Sequence, residues 1–346
     1  MSPKQQEASL NAEGELGPQE RGGSLERVLA LQAEYPLQEN VIAFKFGGSS
    51  LLGAERLLHS ARLVRDAAQT RRVTAVVSAM KGVTDRLLHV GQWLGQGRNA
   101  QARKEAEDVA DLHFAALREL QLAPEEHDRV EQEMELLSDD LLHEAPLRER
   151  VEVSGAVLDR LASFGERYAA RLFAAALGKL GVTAVPVASS DFVLTCDNFR
   201  DAKPHLEHTR RRGREVLLPL LQAGIVPVVT GFIGATQDGR ITTMGRNSSD
   251  LSGALIGHVV DAEELVIWTD VDGIFTANPH ESAEAKLLHE LSYDEAHALA
   301  ASGAKVLHPH VLPLAAQTEM TVWVRNTFKP HARGTRIGAQ QNGGLA

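Results

Sequence analysis

Short apolar runs alternate with stretches of helical periodicity along most of this chain. VIAFKF starts at Val41 and leads straight into a glycine pair. From about Ala54 to Ala68, Leu57, Leu58, Ala61 and Val64 recur at the spacing of one helix face. VTAVVSA (73–79) is a second apolar run, bounded by Lys81-Gly82, and residues 84–145 read as mostly helical and highly charged. VTAVPV (182–187), IVPVVT (225–230) and ELVIWT (264–269) predict further strands, with VWV (322–324) as a last one. These runs are apolar at consecutive positions, which predicts strands covered on both faces. Strands of that kind, alternating with helices, define an α/β fold with a largely parallel central sheet between helix layers, a three-layer α/β/α sandwich.

The ends of the chain differ from this pattern. Residues 1–23 are rich in Gln, Glu, Gly and Pro and are expected to form a disordered tail. Residues 24–34 can form one short amphipathic helix, with Leu25, Val28 and Leu29 on one face. The ordered domain is expected to begin at Val41. A lobe boundary is placed near residues 229–231, where a second glycine-rich region starts.

Composition narrows the function classes. The 346 residues suffice for one large domain or two modest ones, and 43% hydrophobic with 24% charged residues is ordinary for a soluble globular protein. A formal net charge of -10 argues against nucleic acid and anionic membrane as partners. Cys196 is the single cysteine, so no intramolecular disulfide can form. The polar start lacks the apolar core of a secretory signal, and no apolar run reaches the roughly 18 residues of a membrane span. A cytoplasmic location is expected, and the sequon Asn247-Ser248-Ser249 is read as coincidence.

Five segments carry candidate chemistry. In Lys45-Phe46-Gly47-Gly48-Ser49-Ser50 a strand ends on lysine and a glycine pair follows. Glycines let the backbone approach a ligand, and the lysine can meet phosphate, but a plain strand-to-helix turn has the same pattern. Neither this segment nor Gly234–Gly239, which Arg240-Ile241 follows, has the Lys-Ser/Thr that completes a Walker loop. Ser163-Phe164-Gly165-Glu166 is read as a helix start, where the glutamate either favours the helix dipole or receives an ammonium. Thr242–Asp250 packs Arg246, Asn247, Ser248, Ser249 and Asp250 onto a turn, as helix cap or as anion site. Trp268–Phe275 begins where a strand ends, the place where ligands collect in open α/β sheets. Its Asp270-x-Asp272-Gly273 lacks the glycine position of a calcium loop. In Gly303–Pro309, Lys305 is either a surface residue or a second phosphate lysine, Pro309 can start a helix, and His308 is read as structural.

Taken in order, these segments resemble one family, the aspartate kinases of the amino-acid kinase superfamily. The matching blocks are KFGGSS (45–50), VVSAMKGVTD (76–85), SFGER (163–167), GFIG (231–234), TTMGRNSSD (242–250), WTDVDGIF (268–275), SYDEAHALAASGAKVLHP (292–309) and RNTFKPHARGT (325–335). They span about 41–337. The resemblance implies an amino-acid kinase domain over 41–337, with an acceptor lobe at about 41–229, a nucleotide lobe at 230–337, and tails at 1–40 and 338–346. It implies ATP and L-aspartate as substrates, Mg2+ carried by ATP with no dedicated metal ligands, and a homo-oligomer, fusion or regulatory partner as companions. Lys45 then lies against the transferring phosphoryl group, with Gly47, Gly48 and Ser49 donating hydrogen bonds. Thr84 contacts the amino acid, Glu166 holds its ammonium, Arg246 pairs with its α-carboxylate, and Ser249 and Asp250 complete the region. Thr269, Asp270 and Phe275 lie at the nucleotide, and Lys305 and Val306 border its pocket.

The chain departs from the family pattern at two places. Asn247-Ser248-Ser249-Asp250 stands where the family has Gly-Gly-Ser-Asp or Asn-Gly-Ser-Asp. Ser248 is therefore expected either to carry positive-φ strain or to crowd the site. Phe275-Thr276-Ala277-Asn278-Pro279-His280 stands where the family has Tyr-Thr-x-Asp-Pro-Arg, which is expected to weaken nucleotide binding. The chain ends soon after Thr335, so no ACT module and no feedback by lysine or threonine are expected within it. A kinase for another amino or carboxylic acid, and a catalytically weak nucleotide-binding homologue, remain as alternatives.

Overall fold

The computed structural model describes residues 40–146, 152–245, 248–277, 284–301, 307–308 and 310–339. The tail and short helix expected before residue 40 lie outside them. Strand β1 (Val41–Phe46) is followed by α1 (Gly53–Ala68) and β2 (Arg72–Val77). The charged stretch after it forms α2 (Val83–Gly95), α3 (Asn99–Leu120) and α4 (Pro124–Glu144), interrupted at Gly97, where φ is 72°, and before Pro124 at the helix N-terminus. Then come α5 (Gly155–Lys179), β3 (Ala184–Val187), α6 (Leu206–Gln222) and β4 (Val226–Thr230). A small hairpin, β5 (Ile233–Ala235) and β6 (Ile241–Thr243), precedes α7 (Ser249–Val259) and β7 (Glu264–Thr269). The last part holds β8 (Ile274–Phe275), β9 (Leu287–Leu288), β10 (Glu290–Ser292), α8 (Tyr293–Ala301), α9 (Val311–Gln317), β11 (Thr321–Asn326) and β12 (Thr335–Gly338).

Among the described residues, eight strands form one sheet in the order β10-β12-β11-β7-β1-β2-β4-β3. Every pairing in it is parallel except β11 with β12. β1, buried at all six positions, sits between β2 and β7. Its alternate residues serve opposite layers, as the pleat requires. Phe46 points into the α5 side, its ring centroid 5.1 Å from that of Phe173, while Lys45 points toward α7. Helices α1, α2 and α4 pack on α5, and α6 and α9 pack on α7, giving helix layers on both sides of the sheet. The α/β sandwich is thus the architecture expected. Among the described residues no helix is long and apolar enough to cross a membrane.

β2 stops at Val77, short of the predicted 79, because the Ala79 N–H turns out of the sheet to Glu166 Oε1 at 2.9 Å. The Ser78 N–H and hydroxyl both still donate to the Phe46 carbonyl, at 3.2 and 3.0 Å, and Val77 offers its own carbonyl to Gly231 N–H at 2.8 Å. The chain turns here across the strand ends, where the site lies.

Candidate active site

The C-terminal ends of β1, β2, β4 and β7 open on one cavity of about 380 Å³. Lys45 enters it from β1. Its stem passes beside Gly253 of α7, where an added Cβ would come within 3.0 Å of Lys45 Cβ. The Nζ reaches Asp250 Oδ1 at 2.7 Å, with both side chains mostly buried. Asp250 stands in the first turn of α7, where the helix dipole favours its charge.

The two glycines after β1 do different jobs. Gly48 is pressed against the β2–α2 loop: a Cβ there would lie 2.5 Å from the Ala79 carbonyl oxygen and 2.9 Å from Lys81 N. Lys81 N–H in turn donates to the Gly48 carbonyl at 3.1 Å. Gly47 is not crowded, and a Cβ there would sit 3.8 Å from Lys45 Nζ, on the ammonium. Gly48 therefore closes the loop, and Gly47 keeps the lysine accessible.

Helix α5 supplies the acidic groups. Glu166 was expected at a helix start, but it lies in the middle of α5, whose N-terminus is capped by Ser154 accepting the Val157 N–H at 3.3 Å. Gly165 does not break the helix; it lets α5 approach the loop, since a Cβ there would lie 2.6 Å from Ala79 Cβ. Glu166 is 3% exposed and its Oε1 accepts the Ala79 N–H at 2.9 Å. Its Oε2 is buried and finds no hydrogen-bond partner among the described residues. Burial pushes its carboxyl up to about 8.

A second buried carboxylate on the same helix has the opposite character. Asp159 Oδ2 accepts the N–H groups of Arg200 and Thr243, both at 2.9 Å, and Oδ1 accepts the Thr243 hydroxyl at 2.7 Å. Burial raises this carboxyl too, and those three bonds act against the rise. Asp159 is a satisfied clamp that ties β6 and the 196–203 loop to α5, whereas Glu166, which lines the cavity, keeps one oxygen without a partner among the described residues.

Two walls come from strained or close backbone. Phe232 has φ of 67°, and its N–H donates to Ser252 Oγ at 2.8 Å. The Ser252 hydroxyl donates to the Ser248 carbonyl at 3.1 Å. Ser248 has φ of -77°, so the positive-φ strain considered for it is absent, and Gly245 takes the left-handed position instead, with φ of 87°. Ser248 is fully buried at the cavity wall, its hydroxyl without a hydrogen-bond partner among the described residues.

The structure brings Lys45, Gly47, Gly48, Ser49, Thr84 and Glu166 onto one wall system with Ser249 and Asp270. Asp250 joins through Lys45. Thr269 ends β7, with its carbonyl accepting Thr327 N–H at 2.8 Å, and Phe275 lies in the β8–β9 hairpin; neither lines this cavity. Arg246, Lys305 and Val306 lie outside the described residues, as do Asn247, Asn278, Pro279, His280 and Pro309. The sequence reading missed Arg200, Thr243, Phe232, Lys81 and Asp85 on the wall, and Asp159 behind it. GFIG was the signal available for Phe232; nothing in the local sequence marks Arg200.

A parallel sheet whose strand ends enclose a glycine-lined cavity, with a lysine and a buried carboxyl on its wall, defines an α/β protein with a cavity suited to a small charged ligand. The chain belongs to the amino acid kinase family, whose model matches residues 40–326. It is 32% identical over 297 residues to lysine-sensitive aspartokinase 3 of Escherichia coli (strain K12), covering 86% of this chain and 64% of that protein. It is 35% identical over 300 residues to the chloroplastic aspartokinase 1 of Arabidopsis thaliana, covering 85% of this chain and 51% of that protein. The crystal structure of E. coli aspartokinase III in complex with aspartate and ADP, in the R-state, superposes with a TM-score of 0.80 at 31% identity, covering 88% of this chain and 65% of that one. The chain thus spans about half to two thirds of the length of these relatives.

Proposed function

We propose that this chain acts as an aspartate kinase. It transfers the γ-phosphoryl of MgATP to the β-carboxylate of L-aspartate, giving 4-phospho-L-aspartate and ADP, in the cytoplasm and at the head of lysine and threonine biosynthesis. The observation that carries the reading is one cavity holding both the Lys45 ammonium and the buried Glu166 carboxyl with its unpartnered Oε2. A lysine suits phosphate, and a desolvated carboxyl suits an ammonium, so the cavity has one end for each substrate. The likeness to a structure solved with aspartate and ADP supports the same assignment.

The chemistry needs little from the protein. The acceptor carboxylate is ionised at neutral pH and needs no general base. It attacks the γ-phosphorus in line, the P–O bond to the β-phosphate breaks, and the electron pair leaves with ADP. Catalysis then rests on placement and charge neutralisation. Lys45, held by Asp250, neutralises charge on the transferring group. Gly48 and Ser49 present donors at the phosphate, while the Gly47 N–H is held by the Trp268 carbonyl at 3.1 Å and its missing side chain leaves room beside Lys45. Glu166 ionises as the substrate ammonium docks, and Thr84 and Ser249 line the acceptor. Arg246 takes the α-carboxylate, and Lys305, Val306, Thr269 and Phe275 belong to the nucleotide half. Mg2+ carried by the nucleotide would offset phosphate charge, and the Asp270 carboxylate on the wall would be a hard oxygen donor suited to it. The halves divide near residue 230: acceptor at about 41–229 and nucleotide at 230–337.

The test is hydroxamate formation. Purified protein is given MgATP, hydroxylamine and a panel of amino and dicarboxylic acids. Product from L-aspartate alone supports the proposal; product from another acid, or ATP binding with no product, refutes it.

A further inference from the structure

We propose that Arg200 is a specificity-determining residue that binds the non-reacting carboxylate of the acceptor; this rests on the aspartate kinase reading. Arg200 lines the same cavity as Glu166 and Thr84. Its φ is 75°, a left-handed conformation that an L-residue adopts at a cost and glycine adopts freely. The loop does not need the side chain, because what anchors it here is the Arg200 backbone N–H on Asp159 Oδ2. An arginine held at a position that favours glycine points to a use for its guanidinium.

That guanidinium is only loosely engaged. Its contact with Asp159 runs from Nε to Oδ1 at 3.5 Å, longer than a good hydrogen bond. Asp159 already accepts three hydrogen bonds from Arg200 N, Thr243 N and the Thr243 hydroxyl. Asp159 thus steadies the guanidinium without saturating it, and among the described residues neither Nη group makes a hydrogen bond. A planar fork of this kind matches a carboxylate. The charges of an aspartate-like acceptor then match the wall: ammonium on Glu166, reacting carboxylate toward Lys45, second carboxylate on Arg200. Arg200 thereby adds a second arginine to the role proposed for Arg246.

The test is Arg200→Gly, compared with wild type on two acceptors. L-Aspartate has the second carboxylate; its α-amide has the ammonium and β-carboxylate but lacks it. The variant is expected to keep or gain thermal stability, to raise KM for L-aspartate about tenfold or more, and to leave kcat nearly unchanged. For the α-amide, KM is expected to be the same in both proteins. An unchanged KM for aspartate, or an equal rise for both acceptors, overturns the proposal while leaving the kinase reading intact. If wild type forms no hydroxamate from aspartate, the kinase reading fails on its own. Calorimetric binding of L-aspartate to both proteins then decides Arg200: weaker binding in the variant supports it, and equal or no binding overturns it.

Discussion

The ammonium of Lys45 lies 2.7 Å from Oδ1 of Asp250, although five strands separate β1 from α7 along the chain. The pair fixes where positive charge enters the cavity. Lys45→Ala removes that charge and leaves Asp250, largely buried, facing incoming phosphates. Turnover is expected to fall at least about a hundredfold, as when other preorganised transition-state donors are deleted. ADP release measured beside circular dichroism checks that activity is lost with the fold intact.

Glu166 makes both stability and binding pH-dependent. Its folded value of about 8 lies above its ordinary value of 4.5, so between these the folded protein keeps a proton that the unfolded chain has lost. Folding stability is therefore expected to fall as pH rises from about 5 to 8, by up to about 1.4 kcal/mol per pH unit. Glu166→Gln should flatten this slope in thermal melts.

The same group gives a binding signature. Docking of an ammonium requires Glu166 to ionise, so aspartate binding releases a proton below pH about 8 and tightens as pH rises toward that value. Calorimetry in buffers of different ionisation enthalpy is expected to show the released proton in wild type and none with Glu166→Gln.

The adjacent glycines separate folding from activity. Gly48→Ala places a methyl against two backbone atoms of the β2–α2 loop and is expected to cost about 1–3 kcal/mol. Gly47→Ala meets only ordinary contacts but covers the lysine ammonium. It is expected to melt like wild type while losing most of its turnover. Equal stability for the two variants would contradict this division.

Ser252 holds Phe232 in its left-handed conformation through the 2.8 Å bond to its N–H. Ser252→Ala leaves that N–H without its acceptor and is expected to cost about 1–2 kcal/mol, or a few degrees in Tm. Adding Phe232→Gly, which removes the strain, should recover part of the loss.

Much of the sheet was legible because its strands are buried on both faces and so appear as unbroken apolar runs; ELVIWT matches β7 residue for residue. The β5–β6 hairpin escaped notice because each strand has three residues and one of them contains Gly234. Glu166 was found by motif but placed at a helix start, since a Gly165 that breaks a pattern on paper is here a contact surface against Ala79. Arg200 and Asp159 were invisible for a different reason. One is a loop residue defined by its backbone angle, the other a polar residue inside a helix, and what joins them is three-dimensional. The strain considered for Ser248 depended on a φ value that sequence does not carry.

The position of β1 between β2 and β7 also orders the events of folding. β1 and β2 are separated in sequence by a single helix, so Lys45, Gly48 and the loop they touch can come together through near-neighbour pairing. Asp250 and Asp270 belong to segments that flank β7, and the β7 ladder with β1 closes only after most of the chain has been laid down. Such non-local pairings are the slow ones. During refolding, helical signal and apolar burial are therefore expected before the cavity can hold its ligands, with ligand competence marking the docking of β7 on β1.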